Sequence, residues 1–510
     1  MRYSPIQDRS RREPITGYAS ATRHKTLPSP RLLGFFIFVL LFAPRARIPS
    51  IGIPLYMVDG LLVLLFFTAL WRPAIAWRQL RPIPLLAGIY TIFVCLSEAN
   101  GLISYGAFAE SAYMMGIFCL AISLVYIVPK MLRTPDNLVV MFKGVLIGLL
   151  LTSIIVILYS FGATRPVVAN TIFAWDFLNP GAERYLEILQ MTTGEGATRG
   201  TSLIGASTIT AGFLGTMWPL TFLAARWPGI GRRWQHVAVL VSVLAPLGLL
   251  ATYGRTAWLI VIVIGIMAGI FGFGGGRRKA FILASICLLI VYLYGEQSDL
   301  FMMDRLTVRT KAAINAPLGH PEERERFASY FEPFGHLLEN PTWLISGVGR
   351  TGERLVSRGG LETQLFDEMT LATHSAFAMA YYSFGLPAAI CQVLLMLSAL
   401  RLILRRLKDC GKDRQQQLIW QVLLMTWSGL LFWWLSGHAA VGEPRGAMLF
   451  FFWFGLLLAF SRHGIVRGGL TNGGGPAQAP VAATGRPDGR GKQMVPESLR
   501  RIHTYDKKFY

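Results

Sequence analysis

The chain has 510 residues, 53% of them hydrophobic and only 15% charged, with a mean hydropathy of +0.46. Soluble domains carry about 25% charged residues, so the composition excludes an ordinary soluble globular protein. The net charge of +21 suggests nucleic acid, a reading that the distribution of the charges removes.

Residues 1–31 form a basic head with seven Lys/Arg. Twelve apolar stretches follow, each long enough to span or nearly span a bilayer: 32–43, 51–71, 83–97, 111–129, 138–162, 202–225, 236–252, 256–274, 280–294, 373–398, 417–437 and 446–461. The first is short, and no small-residue cleavage site follows it, so the head reads as a retained anchor rather than a cleaved signal peptide. The expected fold is all-α and polytopic, with about twelve transmembrane helices: nine over 32–294 and three over 373–461. Two polar connections are long, 163–200 and 295–372. The tail from 462 to 510, with its Gly/Pro/Ala-rich stretch at 467–492, reads as flexible.

With the N-terminus inside, the head, 72–81, 130–137, Lys143, 226–235, 275–279, 399–416 and the tail hold 34 Lys/Arg against 8 Asp/Glu. The opposite side holds 15 against 19, with Asp59 left within the second stretch. This is the positive-inside bias that sets topology. It places both termini in the cytoplasm and 295–372 outside, and attraction to anionic membrane lipid accounts for the basic loops without nucleic acid. Cys95, Cys119, Cys287 and Cys391 lie in apolar stretches and Cys410 in a basic connection. No disulfide is expected outside, and without CxxC or HExxH no metal or other cofactor is expected.

The segment 295–372 carries 12 acidic and 8 basic residues. Within RERFASYFEPFGHLLENP (324–341), Phe327, Phe331, Phe334 and Leu338 recur at helical spacing, a pattern that Pro341 ends. ISGVGRTGERLVSRGG (345–360) supplies glycines for tight turns.

Ionisable groups near membrane spans are costly and need a reason. His374, Arg199, Arg255, His438, Arg445 and Asp59 stand out. Arg199 opens the sixth stretch, Arg255 lies in the tight turn between the seventh and eighth, and His374 opens the tenth. The topology sets these three at one membrane depth. Snorkelling to headgroups is the plainer reading of either arginine alone. Tyr381 and Gly385 share a helical face with His374, Tyr381 reading as packing and Gly385 as a point of close helix approach. His438, Glu443 and Arg445 read as a structural ion-pair group.

Three stretches carry a resemblance: RGTSLIGASTITAGFL, YGRTAWLIVIV, and RFASYFEPFGHLLENPTWLISGVGRTG followed by THSAFAMAYYSFGL. Together they resemble the O-antigen ligase and O-antigen polymerase superfamily, bacterial inner-membrane glycosyltransferases that use undecaprenyl-diphosphate-linked glycans. The likeness runs over roughly 199–461. Gly254 stands where serine is common, Ser375 where asparagine is usual, and Ser383 where an acidic residue often stands.

The resemblance implies a lipid-linked oligosaccharide donor, a glycan or lipid A-core acceptor, polysaccharide-export partners, and neither metal nor cofactor. It makes His374 the general base and Arg199 and Arg255 the diphosphate ligands. Arg326, Arg350 and Tyr381 become further donor or acceptor contacts. The chemistry agrees: a departing diphosphate gains negative charge that two guanidiniums can hold, and a sugar hydroxyl is a poor nucleophile that a histidine can activate. A transporter or flippase for the same glycans is the alternative. Repeated halves and broken helices mark many transporters, and the sequence shows neither clearly.

Overall fold

The computed structural model describes residues 29–42, 57–72, 82–160, 164–168, 202–203, 207–252, 254–271, 334–335, 337–338, 341–352, 375–411, 413–437 and 439–462. Every regular element among them is a helix. In chain order these are α1 (Ser29–Phe42), α2 (Met57–Leu70), α3 (Pro82–Tyr105), α4 (Phe108–Met131), α5 (Pro135–Ser160), α6 (Arg165–Val168), α7 (Ser207–Met217) and α8 (Leu220–Ala224). Then come α9 (Arg232–Ala251), α10 (Arg255–Ile270), α11 (Pro341–Ser346), α12 (Ala376–Phe384), α13 (Leu386–Asp409), α14 (Arg414–Ser436), α15 (Ala439–Gly442) and α16 (Pro444–Ser461).

Seven of these, α3, α4, α5, α9, α13, α14 and α16, are long and apolar enough to cross a membrane, while α1, α2 and α10 are shorter apolar helices. The expected stretch at 280–294 lies outside the described residues. Two expected spans are interrupted. The sixth divides into α7 and α8 at Trp218–Pro219, and the tenth into α12 and α13 at Gly385. The sequence reading anticipated neither break.

Helix α16 reads PRGAMLFFFWFGLLLAFS, apolar on every side, and all its residues are buried. A helix without a polar face belongs at the centre of a bundle, and α16 lies there against α4. Lipid supplies little drive for apolar side chains to leave it, so small residues and interhelical hydrogen bonds carry much of the packing. Gly429 of α14 lies against the Gly215 backbone of α7, and Gly144 of α5 against that of Gly34 in α1. Gln392 of α13 donates to Tyr90 Oη of α3 at 2.8 Å and accepts from Trp434 Nε1 of α14 at 2.9 Å. Such bonds average ~0.6 kcal/mol each in a bilayer protein.

The Gly144 contact makes a test. Gly144→Leu is expected to cost ~1–3 kcal/mol by overpacking, read as a lower unfolding midpoint in detergent. Gly116→Leu, on an open face of α4 with nothing within 4 Å, is expected to leave the midpoint unchanged. Equal midpoints for the two variants would show that α1 does not dock on α5 through Gly144.

The two ends of the bundle differ in charge. At one end, Arg462 donates to the Pro129 carbonyl at 3.3 Å and Arg406 to that of Ser461 at 3.1 Å, so guanidiniums cap the last turns of α4 and α16. In the adjoining connection, burial and then the guanidiniums of Arg462 and Arg72 lower the pKa of Arg133 from its usual value. The ends of α2, α4 and α16 therefore meet in a basic cluster. The other end holds Asp59, Glu98, Glu110 and Glu443, at the beginnings of α2, α4 and α16 and near the end of α3, together with Arg165, Arg255, Arg350 and Arg445, and is acidic only by comparison with the first.

Candidate active site at the acidic end of the bundle

Pro387 decides the local geometry. In a continuous helix over 376–409, residue 387 would donate to the Ser383 carbonyl and residue 386 to that of Tyr382, but proline has no N–H to give. The chain breaks instead at Gly385, whose φ of +86° suits glycine. Residues 341–352, the outer segment, belong to the long connection expected outside and take over the freed carbonyls. Val348 N donates to Tyr382 O at 3.0 Å and Gly349 N to Ser383 O at 2.9 Å. Ser97 Oγ of α3 also donates to Ser383 O, and Asn100 Nδ2 donates to Gly347 O at 2.8 Å. Gly347 and Gly349 adopt φ of +71° and +79°, the tight turns expected of this stretch. A side chain on Gly347 would meet the Ser383 carbonyl, and one on Gly385 the carbonyl of Ile345. Gly385 thus admits the backbone at the end of α11, a close approach of one helix to the break in another.

A charged group lies beside this junction. Arg350, Thr351 and Gly352 open a helical turn. The carboxylate of Glu98, 1% exposed, accepts from Arg350 N at 2.6 Å and from Thr351 Oγ1 at 2.9 Å. The Arg350 guanidinium pairs with Glu443 at 3.4 Å and reaches Met379 Sδ at 3.4 Å. Arg445 is buried at the start of α16. Asp59, also buried, accepts from Tyr113 Oη at 2.9 Å. Removing one partner of a buried pair costs more than the pair contributes, because the other charge stays desolvated. The group therefore fixes α3, α12, α16 and the outer segment to one another.

Of the residues singled out in the sequence, Arg350 and Tyr381 lie at this junction. Arg350 is held by Glu443. The Tyr381 ring packs edge-on against Phe377 at 5.6 Å and Phe334 at 6.1 Å. Arg255 is the first residue of α10, its side chain outside the described residues. His374, Arg199, Arg326 and His438 also lie outside them. Glu443, grouped in the sequence with His438 and Arg445, pairs across to Arg350.

Ser375 follows His374 directly. Its Oγ accepts from Ala378 N at 2.9 Å as the N-cap of α12. Asparagine caps equally well, so serine keeps the geometry. Ser383 is fully buried and donates through Oγ to Met379 Sδ at 3.2 Å, a setting that suits a neutral side chain. The helical pattern around Phe334 is offset by one position. Leu337 is buried, whereas Phe334 and Leu338 are exposed. Pro341 begins α11 as well as ending the preceding pattern.

Glu98, with Ser97 and Asn100, is what the sequence reading missed. The expected span stopped at residue 97, whereas α3 continues to Tyr105. No protein-family model matches the chain, and no curated protein sequence matches it.

Proposed function

We propose that the protein transfers a glycan from an undecaprenyl-diphosphate-linked donor to a sugar hydroxyl, at the outer face of a bacterial inner membrane. The observation that carries the reading is the docking of residues 347–352 on α12. It brings the Arg350 guanidinium against Met379, five residues after His374, so Gly352 and Ser375, the described residues on either side of 353–374, lie at the same end of the bundle. A hydrophilic acceptor aligned by the outer segment and a donor entering from lipid can meet there.

His374 takes the proton of the acceptor hydroxyl, and that oxygen attacks the anomeric carbon of the donor. The bond from this carbon to the diphosphate oxygen breaks, and the electron pair leaves with undecaprenyl diphosphate. Arg199 and Arg255 hold the charge that the diphosphate gains. The reaction consumes neither ATP nor an oxidant. Twelve spans with both termini cytoplasmic put the acidic end outside, in accord with the basic cluster at the other end. Chain polymerisation and transfer to lipid A-core differ only in the acceptor, and export proteins would take the product onward.

Transport of the same lipid-linked glycans is the second reading, favoured by the two broken helices. The chain's own groups occupy both breaks. Val348 and Gly349 seal the one at Gly385, and the Trp218 carbonyl accepts from Thr221 N and Thr221 Oγ1. That favours transfer over transport.

The test uses purified protein and a native undecaprenyl-diphosphate oligosaccharide. The expected products are free undecaprenyl diphosphate and longer lipid-linked chains, or a glycosylated lipid A-core when that acceptor is added. Donor that crosses a vesicle membrane unchanged, with neither product formed, would favour the transporter.

A further inference from the structure

Glu98 lies near the end of α3 in the run FVCLSEANGL, with apolar residues before it. A carboxylate buried in such a helix is expensive unless its acceptors are used. Here both oxygens are used, and by the same short stretch of chain: one accepts from Arg350 N and the other from Thr351 Oγ1. The first amides of a helical turn have no partner within that turn, so Glu98 acts as an N-cap supplied by another helix. The turn's first side chain, Arg350, continues to Glu443 and Met379. One residue is thereby held through its backbone by α3 and through its side chain by α12 and α16.

We propose that Glu98 is a positioning residue of the outer segment. Acting through Arg350 and Thr351, it sets the register in which residues 347–352 dock on the break at Gly385. On the transfer reading above, on which this second step rests, that register sets the affinity for the acceptor glycan. Glu98 itself touches neither substrate, because both its oxygens are engaged. A shift of the turn would also carry Val348 and Gly349 away from the Tyr382 and Ser383 carbonyls, so the capping bonds and the seal on the break form one unit.

The test compares wild type with Glu98→Ala, Glu98→Gln and Thr351→Val as full-length protein in detergent, followed by amide hydrogen exchange. Hydrogen bonds to a charged group are strong enough that Glu98→Ala is expected to speed exchange at Arg350 and Thr351 by about 10- to 100-fold. Exchange in the core of α14 is expected to stay unchanged. Glu98→Gln keeps one acceptor oxygen and is expected to fall between Glu98→Ala and wild type. Thr351→Val, which leaves α3 untouched, is expected to shift the same amides by less. The double variant Glu98→Ala/Thr351→Val is expected to be no faster than Glu98→Ala alone.

Unchanged exchange over 341–352 in Glu98→Ala, or an increase spread equally into α14, overturns the positioning role. If Glu98→Ala does not fold, Glu98→Gln and Thr351→Val decide it by the same comparison. In the transfer assay, Glu98→Gln is expected to raise the acceptor KM ~10-fold with kcat within ~3-fold of wild type. A fall in kcat at constant KM overturns the link to acceptor affinity. Wild-type protein without transfer activity overturns the proposed function, and the exchange comparison still decides the role of Glu98.

Discussion

Gly385→Ala lowers the stability of the folded protein by about 2–5 kcal/mol, whereas Gly254→Ser leaves it unchanged or slightly raises it. At Gly385 the backbone sits at φ +86° and ψ 160°, a region essentially reserved for glycine, where another residue costs ~1–3 kcal/mol. The added methyl also meets the Ile345 carbonyl. The two effects reinforce each other. Relieving the contact moves the outer segment, and moving that segment strips the Tyr382 and Ser383 carbonyls of the N–H groups of Val348 and Gly349. Tyr382 and Ser383 are buried, so water does not readily replace those N–H groups.

Gly254 is the control because it too is a glycine next to a helix. Its φ of −84° and ψ of 127° are open to any residue, and a Cβ added there stands 3.6 Å from its nearest contact, the Thr252 hydroxyl. As the N-cap of α10 it gains a few tenths of a kcal/mol from a serine hydroxyl. Unfolding midpoints in mixed micelles measure both. A Gly385→Ala protein as stable as wild type would mean that residues 345–349 do not fill the break.

The helices were legible because apolar stretches of membrane length are coarse signals. Eleven of the twelve expected stretches overlap described helices, seven of which are long and apolar enough to span, two stretches are broken, and the twelfth lies outside the described residues. The interruptions were harder to see. Gly385-Leu386-Pro387 sits in an apolar run, and hydropathy averages over the missing N–H of one proline. The signal was nonetheless present, since a glycine two residues before a proline offers both a positive φ and an unfilled acceptor.

Glu98 was lost for a related reason: the span was ended at the first charged residue. A helical wheel gives a different answer. Ser97, Asn100 and Gly101 recur at i, i+3 and i+4, a small polar face that meets Ser383 of α12 and Gly347 and Val348 of the outer segment. The pairing of Arg350 with Glu443 joins residues 93 positions apart and follows from no local pattern. Nor does the burial of Leu337 in place of Phe334 and Leu338, which depends on where Tyr381 and Val348 stand rather than on periodicity.

On the proposed transfer function, His374→Ala is expected to lower kcat for glycan transfer by ~10²–10⁴-fold while the folded yield and unfolding midpoint stay those of wild type. The candidate bases at this end of the bundle are carboxylates and the imidazole, and three of the described carboxylates are committed. Glu98 holds the turn at Arg350, Glu443 pairs with Arg350, and Asp59 accepts from Tyr113. A carboxylate already engaged with the fold's own donors is not placed to take a proton from an acceptor hydroxyl, whereas a histidine placed just before the N-cap of α12 is not needed to start that helix. Ser375 does so with its own hydroxyl. The substitution therefore separates chemistry from folding.

Rate against pH gives a second reading of the same residue. Wild-type transfer is expected to fall on the acid side, as the imidazole takes up a proton and ceases to be a base, and that limb is expected to vanish in His374→Ala. A variant that keeps both the wild-type rate and the acid limb would remove His374 from the mechanism. One that loses the rate but keeps the limb would mean that the titrating group is a different residue, on which His374 acts only through position.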